Sequence, residues 1–473
     1  MTAFEPILKP LAIGAPWAGA LLVFGARLPA RACGEVAALA SAAASAILLG
    51  GMPEAQPLIP ALMLLYSCLT LLAALVLPKR DCDANRMTGI LFLLGSTLLA
   101  YASEDLRVLL AAWILTTVPF LSGRFFGAQT WRPRIALLAS CAALALAVIL
   151  IAADGHGMPI AGLKGESPGG LAVFALLVIA VVLRKGIFPA HAWVADAAEG
   201  GPLVPTVLLL NGHFGAFLVA QLIVPLFPDV TRNLFPVLSY LALATALYVA
   251  IRALAENSPR RLLAFIALSQ SACILIGLES RTAEGITGAV VHWFVVAVAT
   301  MALFGILRLL EVRFGENLTA SRHLGLAEHA PRLAVFFVLF GLALVGLPGT
   351  LSFCSQDLLI HGTLVSHPQT GLLLPVAIAM NAVSMFRLFA RLFLGRRRTG
   401  FTAMADALPR ERWILTAGVL FVVLGGLFPN AIVGLGSGGG ADIAPPASSH
   451  VSRQVKPGPE PTVAGREEAV YPR

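Results

Sequence analysis

Apolar runs of roughly 20 residues recur along the chain up to about position 436, separated by short polar stretches. A helix rises 1.5 Å per residue, so runs of that length match a bilayer core about 30 Å thick. The runs predict about fourteen spanning helices, at 6–28, 34–51, 57–78, 87–103, 106–123, 134–153, 170–190, 203–227, 233–254, 261–278, 285–310, 333–360, 370–394 and 413–435. The short alternating segments of membrane β-strands dominate nowhere. The predicted fold class is an all-α polytopic membrane protein.

Composition agrees. The chain has 473 residues, 58% hydrophobic and 12% charged, with a mean hydropathy of +0.85. A soluble domain carries roughly a quarter charged residues, so this polar surface is too small to cover a globule in water. The N-terminal run, with Lys9 ahead of it, lacks a small-residue cleavage site and reads as a retained first span. Cys33, Cys68, Cys82, Cys141, Cys273 and Cys354 form no CxxC pair and read as small hydrophobes.

The net charge of +8 would suggest a nucleic-acid partner if it were spread over one surface, but it is segregated by loop. If the spans alternate, one set of loops holds the basic clusters at 27–31, 79–86, 124–134, 252–261, 308–332 and 387–412. The opposite loops offer little beyond Lys164, Arg232 and Arg281. The positive-inside rule then places the basic loops in the cytoplasm of a bacterial inner membrane, with both termini on the other side. Past residue 436 the glycine- and proline-rich sequence cannot bury a core and predicts a disordered, non-cytoplasmic tail over 437–473.

Polar residues inside such spans are costly and tend to mark ion pathways. Gly186 and Pro189 should break the helix after Lys185, since proline lacks an N–H and crowds the preceding turn. A lysine desolvated beside unwound backbone can exchange its proton near neutral pH; the competing reading has Arg184 and Lys185 ending a span and snorkelling to the interface. His213 and His292 lie in apolar segments and suit proton relay, or else are neutral packing histidines. Pro348 and Gly349 predict a second break, followed by Gln356 and Asp357, with loop-edge solvation of Asp357 as the alternative. Two interrupted helices, one in each half, point to an inverted repeat with an ion path between its parts. No histidine pair has metal-ligand spacing, and no phosphate loop, hydride-cofactor fingerprint or nucleophile elbow is present. The chain is therefore expected to carry no cofactor, metal or catalytic centre of its own.

At these residues the chain resembles the antiporter-like membrane subunits of respiratory complex I, membrane-bound hydrogenases and multisubunit cation/proton antiporters. The run from Lys185 through Pro189, His191 and Trp193 to Asp196 resembles that family's first broken helix. Arg260 to Gln270, with its basic start and Ser269-Gln270 end, resembles a following helix start; His292 and the stretch from Gly346 to Asp357 complete the likeness, which covers roughly residues 85–395. The resemblance implies fourteen core helices: a three-helix segment (1–86), two inverted five-helix repeats (87–232 and 233–395) and a C-terminal helix (396–436). It also implies a midplane chain of protonatable groups, partner membrane subunits, and termini on the non-cytoplasmic side. Where the family carries a glutamate on the fifth helix this chain reads Trp113-Ile114. Positions where the family carries titratable or charged groups fall on Val296, on Gln356 and near Leu208.

The function expected first is proton or ion translocation within a complex of the NADH:quinone oxidoreductase type. Lys185 and His292 would carry it, helped by His213, Asp357 and Gln356, alongside a soluble redox module. Two others compete: the membrane half of an inorganic-carbon uptake system with a large soluble zinc protein, and a non-conducting structural subunit, which Ile114, Val296 and Gln356 favour.

Overall fold

A computed structural model describes residues 5–26, 28–51, 58–126, 130–315, 318–396, 406–430 and 432–434. The expected tail at 437–473 lies outside the described residues. Among those residues the fold is all-helical, with one isolated bridge between Asp105 and Pro159. The protein is a multi-pass membrane protein. Nine described helical segments are long and apolar enough to cross a bilayer.

The first six helices are α1 (Glu5–Phe24), α2 (Ala30–Gly50), α3 (Leu58–Val76), α4 (Ala84–Tyr101), α5 (Leu106–Leu121) and α6 (Trp131–Ala153). Each falls on an expected run. Local signals fix their starts: the Asp83 and Asp105 side chains accept from the backbone N–H groups of Arg86 and Arg107, both at 2.8 Å, satisfying donors that a helix start leaves free.

The next two expected spans are each divided. Helix α7 (Gly170–Lys185) stops where Gly186 turns left-handed (φ 72°), and α8 (Ala192–Gly200) restarts after Pro189. The second division was not expected. Helix α9 (Leu203–Asn211) ends at Gly212, His213 is itself left-handed (φ 41°), and α10 (Phe214–Leu218) continues through a π-turn at Val219–Ile223 into α11 (Val224–Leu226). The signal for that turn is the Asn211-Gly212 pair, a turn-forming dipeptide inside an otherwise apolar run.

The second half holds α12 (Pro228–Ala255), α13 (Pro259–Glu279), α14 (Ala283–Phe314), α15 (Pro331–Leu344), α16 (Leu351–Ser366), α17 (Pro368–Phe393) and α18 (Pro409–Leu427). Pro228 takes the first turn of α12, where its missing N–H costs nothing, so that helix starts five residues earlier than its apolar run. The α15–α16 break comes at the expected place, with Gly346 (φ 83°) and Gly349 (φ 89°) left-handed. The expected span 333–360 and its successor divide at His367 instead, because α16 runs on to Ser366.

Helix α14 is buried over its crossing length and α13 nearly so. They form the core against which α9, α12, α16 and α17 pack. Outward positions are apolar, such as Leu21, Val365 and Val383, as a lipid solvent requires. The expected basic loops meet at one end of the bundle. There Asp81 bridges Arg308 (2.6 Å) and Arg86 (2.6 Å), Glu311 bridges Arg260 (2.6 Å) and Arg308 (3.0 Å), and Arg313 meets Glu411 (2.7 Å).

Candidate proton path

The break after α7 is held open by side chains. Trp193 Nε1 donates to the Leu183 carbonyl (2.9 Å), and the Phe188 N–H donates to Thr245 Oγ1 (2.8 Å). Freed backbone groups inside a membrane protein need such partners. A Cβ on Gly186 would lie 2.5 Å from Val194 Cγ2, so the turn requires glycine for space as well as conformation.

The same turn leaves Arg184 and Lys185 inside the protein, 4% and 5% exposed, which overturns the snorkelling alternative. The Arg184 guanidinium donates to Thr117 Oγ1 (2.6 Å) and Thr116 Oγ1 (2.5 Å), and lies over the rings of Trp113 (5.4 Å) and Phe214 (5.3 Å). Ile114 points outward at 41% exposure. A carboxylate at that position would leave the site; the faces of α5 turned to α7 are Trp113, Thr116 and Thr117.

Lys185 Nζ donates to Ser271 Oγ (2.7 Å) and lies 3.1 Å from His213 Nδ1, while Ser271 Oγ lies 3.2 Å from the same nitrogen. The unexpected turn at Gly212 and His213 makes this triangle. It swings the His213 ring toward α13 and edge-on to Trp293, with ring centroids 5.5 Å apart. Carbonyls at the end of α9 are taken up by Tyr66 (onto Leu208, 3.0 Å) and Tyr101 (onto Gly212, 2.5 Å). A cavity of about 30 Å³ lies among Arg184, Lys185, Asn211, His213 and Ser271, large enough for about one or two waters.

One residue before Ser271, Gln270 faces α14, where its Oε1 lies 3.0 Å from His292 Nε2. The other ring nitrogen, Nδ1, lies 3.1 Å from Ser355 Oγ, and that hydroxyl is also 2.9 Å from the Ser352 carbonyl. This arrangement serves either protonation state. With neutral His292, Ser355 donates to Nδ1; with a charged ring, Nδ1–H donates to Ser355, which turns its proton onto Ser352. Gln356 Nε2 donates to Ser352 Oγ (3.3 Å), and its Oε1 sits against Gly346, whose missing side chain makes the space.

Of the residues singled out from the sequence, Lys185 and His213 thus form one buried cluster, and His292 and Gln356 belong to a second. Gly186 and Pro189 shape the first break; Pro348 and Gly349 shape the other. Asp357 joins neither. Consecutive helical residues point 100° apart, so with Gln356 inward the Asp357 side chain is 59% exposed and pairs with His361 (3.3 Å) on the outer face of α16. Ser271, Ser355 and Arg184 are functional candidates that residue-by-residue reading did not select. The polar triplet Ser269-Gln270-Ser271 inside an apolar helix was the available signal.

The family described as NADH:quinone oxidoreductase/Mrp antiporter, TM, matches residues 134–381, more than half of the chain. NADH-quinone oxidoreductase subunit M of Rickettsia prowazekii is 26% identical over 297 residues, covering 61% of this chain and 60% of that protein. Subunit M of Mycobacterium tuberculosis H37Rv is 27% identical over 308 residues, covering 64% and 54%. The matches therefore span only 60% and 54% of these curated relatives' length. Among solved structures, a chain of respiratory complex I from Thermus thermophilus superposes with a TM-score of 0.81 at 24% identity, over 92% of this chain and 99% of that one. A chain of the Mrp complex from Dietzia sp. DQ12-45-1b gives 0.81 at 18% identity, over 94% and 98%. Likeness at those identities establishes the common fold.

Proposed function

This chain belongs to the NADH:quinone oxidoreductase/Mrp antiporter transmembrane family, and we propose that it is a proton-translocating, antiporter-like subunit of a larger membrane complex of the NADH:quinone oxidoreductase type. The observation that carries the proposal is the pair of buried polar clusters, Lys185–Ser271–His213 and Gln270–His292–Ser355–Ser352–Gln356, delivered to the interior by breaks in three spans. A lysine desolvated by burial can exchange its proton near neutral pH, and an imidazole, with one nitrogen that donates and one that accepts, can pass a proton along such a chain. Serine and glutamine hold positions between them and reorient.

In this reading residues 87–232 and 233–395 are the two inverted repeats, each contributing one glycine–proline break. The arginine-rich end faces the cytoplasm of a bacterial inner membrane, as the positive-inside rule favours, and both termini lie on the other side. Partner membrane subunits cover the apolar flanks, and a soluble redox module drives the cycle.

The test is to isolate the native complex in mild detergent, identify its chains by mass spectrometry, and measure proton flux after reconstitution into liposomes. Quinone-site and iron–sulfur partners with a flux lost in Lys185→Ala and in His292→Ala support the proposal. A single large zinc protein as sole partner would move the assignment to inorganic-carbon uptake. Wild-type flux in both variants would leave a structural subunit.

A further inference from the structure

Five carboxyl side chains are buried among the described residues: Glu5, Asp81, Glu279, Glu311 and Glu411. Four of them meet a cation: Glu5 with Lys9 at 2.8 Å, Asp81 with Arg308 at 2.6 Å, Glu311 with Arg260 at 2.6 Å and Glu411 with Arg313 at 2.7 Å. Glu279 is the exception. It is 1% exposed, and neither carboxyl oxygen has a hydrogen-bond partner among the described residues. A structural carboxylate buried this way would be expected to recruit a basic side chain, as the other four do.

Its position in the fold gives it another use. Helix α13 runs from the arginine-rich end at Arg260, past Gln270 and Ser271, to Glu279 as its last residue. Eight residues of helix place Glu279 about 12 Å along the axis from the Lys185–Ser271 contact. The exposed surface follows at once: Arg281 is half-buried, and Ala283 and Glu284 are exposed. Polar groups mark that short interval, with Ser280 Oγ 3.1 Å from Thr282 Oγ1. The segment α9–α11 runs beside α13 in the same direction, since Arg260 donates to the Gly201 carbonyl at one end and Ser271 meets His213 further along. Its π-turn at Val219–Ile223, which packs on α13, therefore comes level with Glu279. Such turns widen a helix locally and are frequent at functional sites.

We propose that Glu279 is a proton-binding group linking the Lys185 cluster to the face of the protein opposite the arginine-rich end. The proposal rests on the reading of this chain as a proton conductor. Buried without a donor at the carbonyl end of a helix, the carboxyl holds a proton at rest. When Lys185 is a neutral amine, the proton leaves Glu279 through hydrogen-bonded water and Lys185 becomes an ammonium; the carboxylate left behind is reprotonated from the nearby surface. The pair keeps its total charge through the transfer. At about 2.8 Å per hydrogen bond, a 12 Å gap is crossed by about four bonds and so by about three waters.

The experiment uses the whole complex in liposomes, with Glu279→Gln, Glu279→Asp and Lys185→Ala measured side by side for proton flux. Infrared difference spectra are taken between the resting and energised states. Glu279→Gln is expected to lower flux by on the order of tenfold or more and to remove a protonated-carboxyl band. Glu279→Asp should restore part of the flux and shift the band. Wild-type flux in Glu279→Gln with the band unchanged, while Lys185→Ala abolishes flux, would overturn the proposal and leave the conduction reading standing. Wild-type flux in Lys185→Ala would overturn the conduction reading itself. If Glu279→Gln does not assemble, the band in the wild type and its shift in Glu279→Asp decide: a band that does not shift overturns the assignment.

Discussion

Lys185→Met separates a conducting lysine from a structural one. Lys185 donates two buried hydrogen bonds, to Ser271 and His213, and bonds to a charged group are each worth about 1.5–3 kcal/mol net. Their loss is offset because burying an ammonium costs several kcal/mol, which an apolar side chain of similar volume does not incur. Nor are the partners orphaned: Ser271 Oγ and His213 Nδ1 remain 3.2 Å apart and bond to each other. Methionine also keeps the stem that packs on Gly215. The two effects nearly cancel, so assembly and the thermal midpoint in detergent should stay at or slightly above wild type. Proton flux, read by a pH-sensitive dye in liposomes under an imposed potential, should fall by about a hundredfold or more if Lys185 carries the proton. Wild-type flux refutes conduction through Lys185. A collapse of the complex refutes the balance of energies, because the lysine would then be a net stabilising element.

Glu311→Ala leaves Arg260, among the described residues, with the carbonyls of Glu199 and Gly201 alone, and should cost about 3–5 kcal/mol, seen as reduced accumulation of folded protein. Gly186→Ala forces a left-handed alanine against Val194 and should cost about 2 kcal/mol or more, lowering the thermal midpoint. Burial would raise the Asp81 carboxyl, but the Arg308 and Arg86 guanidiniums hold it below the usual carboxylate range. Its stabilising contribution is present above the unfolded value of about 3.9 and is lost as pH falls through the folded value. Melting midpoints should therefore lose an acid-limb component in Asp81→Asn, and an unchanged acid limb would show that the pair contributes nothing.

The helices and two of the breaks were legible because lipid leaves a strong signature. A spanning run must be apolar over its length, and glycine close to proline, as in Gly186 and Pro189 or Pro348 and Gly349, marks where a helix is interrupted. The break at His213 was marked only by the Asn211-Gly212 pair, with no proline to reinforce it, and its freed carbonyls are satisfied by Tyr66 and Tyr101 from distant helices. Lys185 and His292 could be singled out as isolated polar residues in apolar surroundings. Their partners could not, because Ser271 and Ser355 are small hydroxyls of a kind that elsewhere in this protein bond their own helix, as Ser67 and Thr97 do. Asp357 was misplaced by a single residue of phase: one step along α16 separates the inward Gln356 from the exposed pair with His361. The expected loss of a carboxylate at Ile114 carries less weight, since that position faces outward.

Helix α13 is the physical link between the two clusters. Ser269, Gln270 and Ser271 are consecutive, so they radiate about 100° apart and reach three different neighbours. Ser269 donates to the Ala246 carbonyl of α12 (3.0 Å) and accepts from Asn381 of α17 (2.7 Å). Gln270 holds His292 on α14, and Ser271 holds Lys185 and His213. If Lys185 exchanges its proton, what Ser271 must donate or accept changes, and a rotation or shift of α13 that accommodates it would move Gln270 against His292. No direct hydrogen bond between the clusters is needed for one to sense the other, because a single rigid helix carries a member of each. Close packing of α13 and α14, where Gly277 lies against Ala289 and Gly285, keeps that coupling stiff: neither helix has slack to absorb the movement locally.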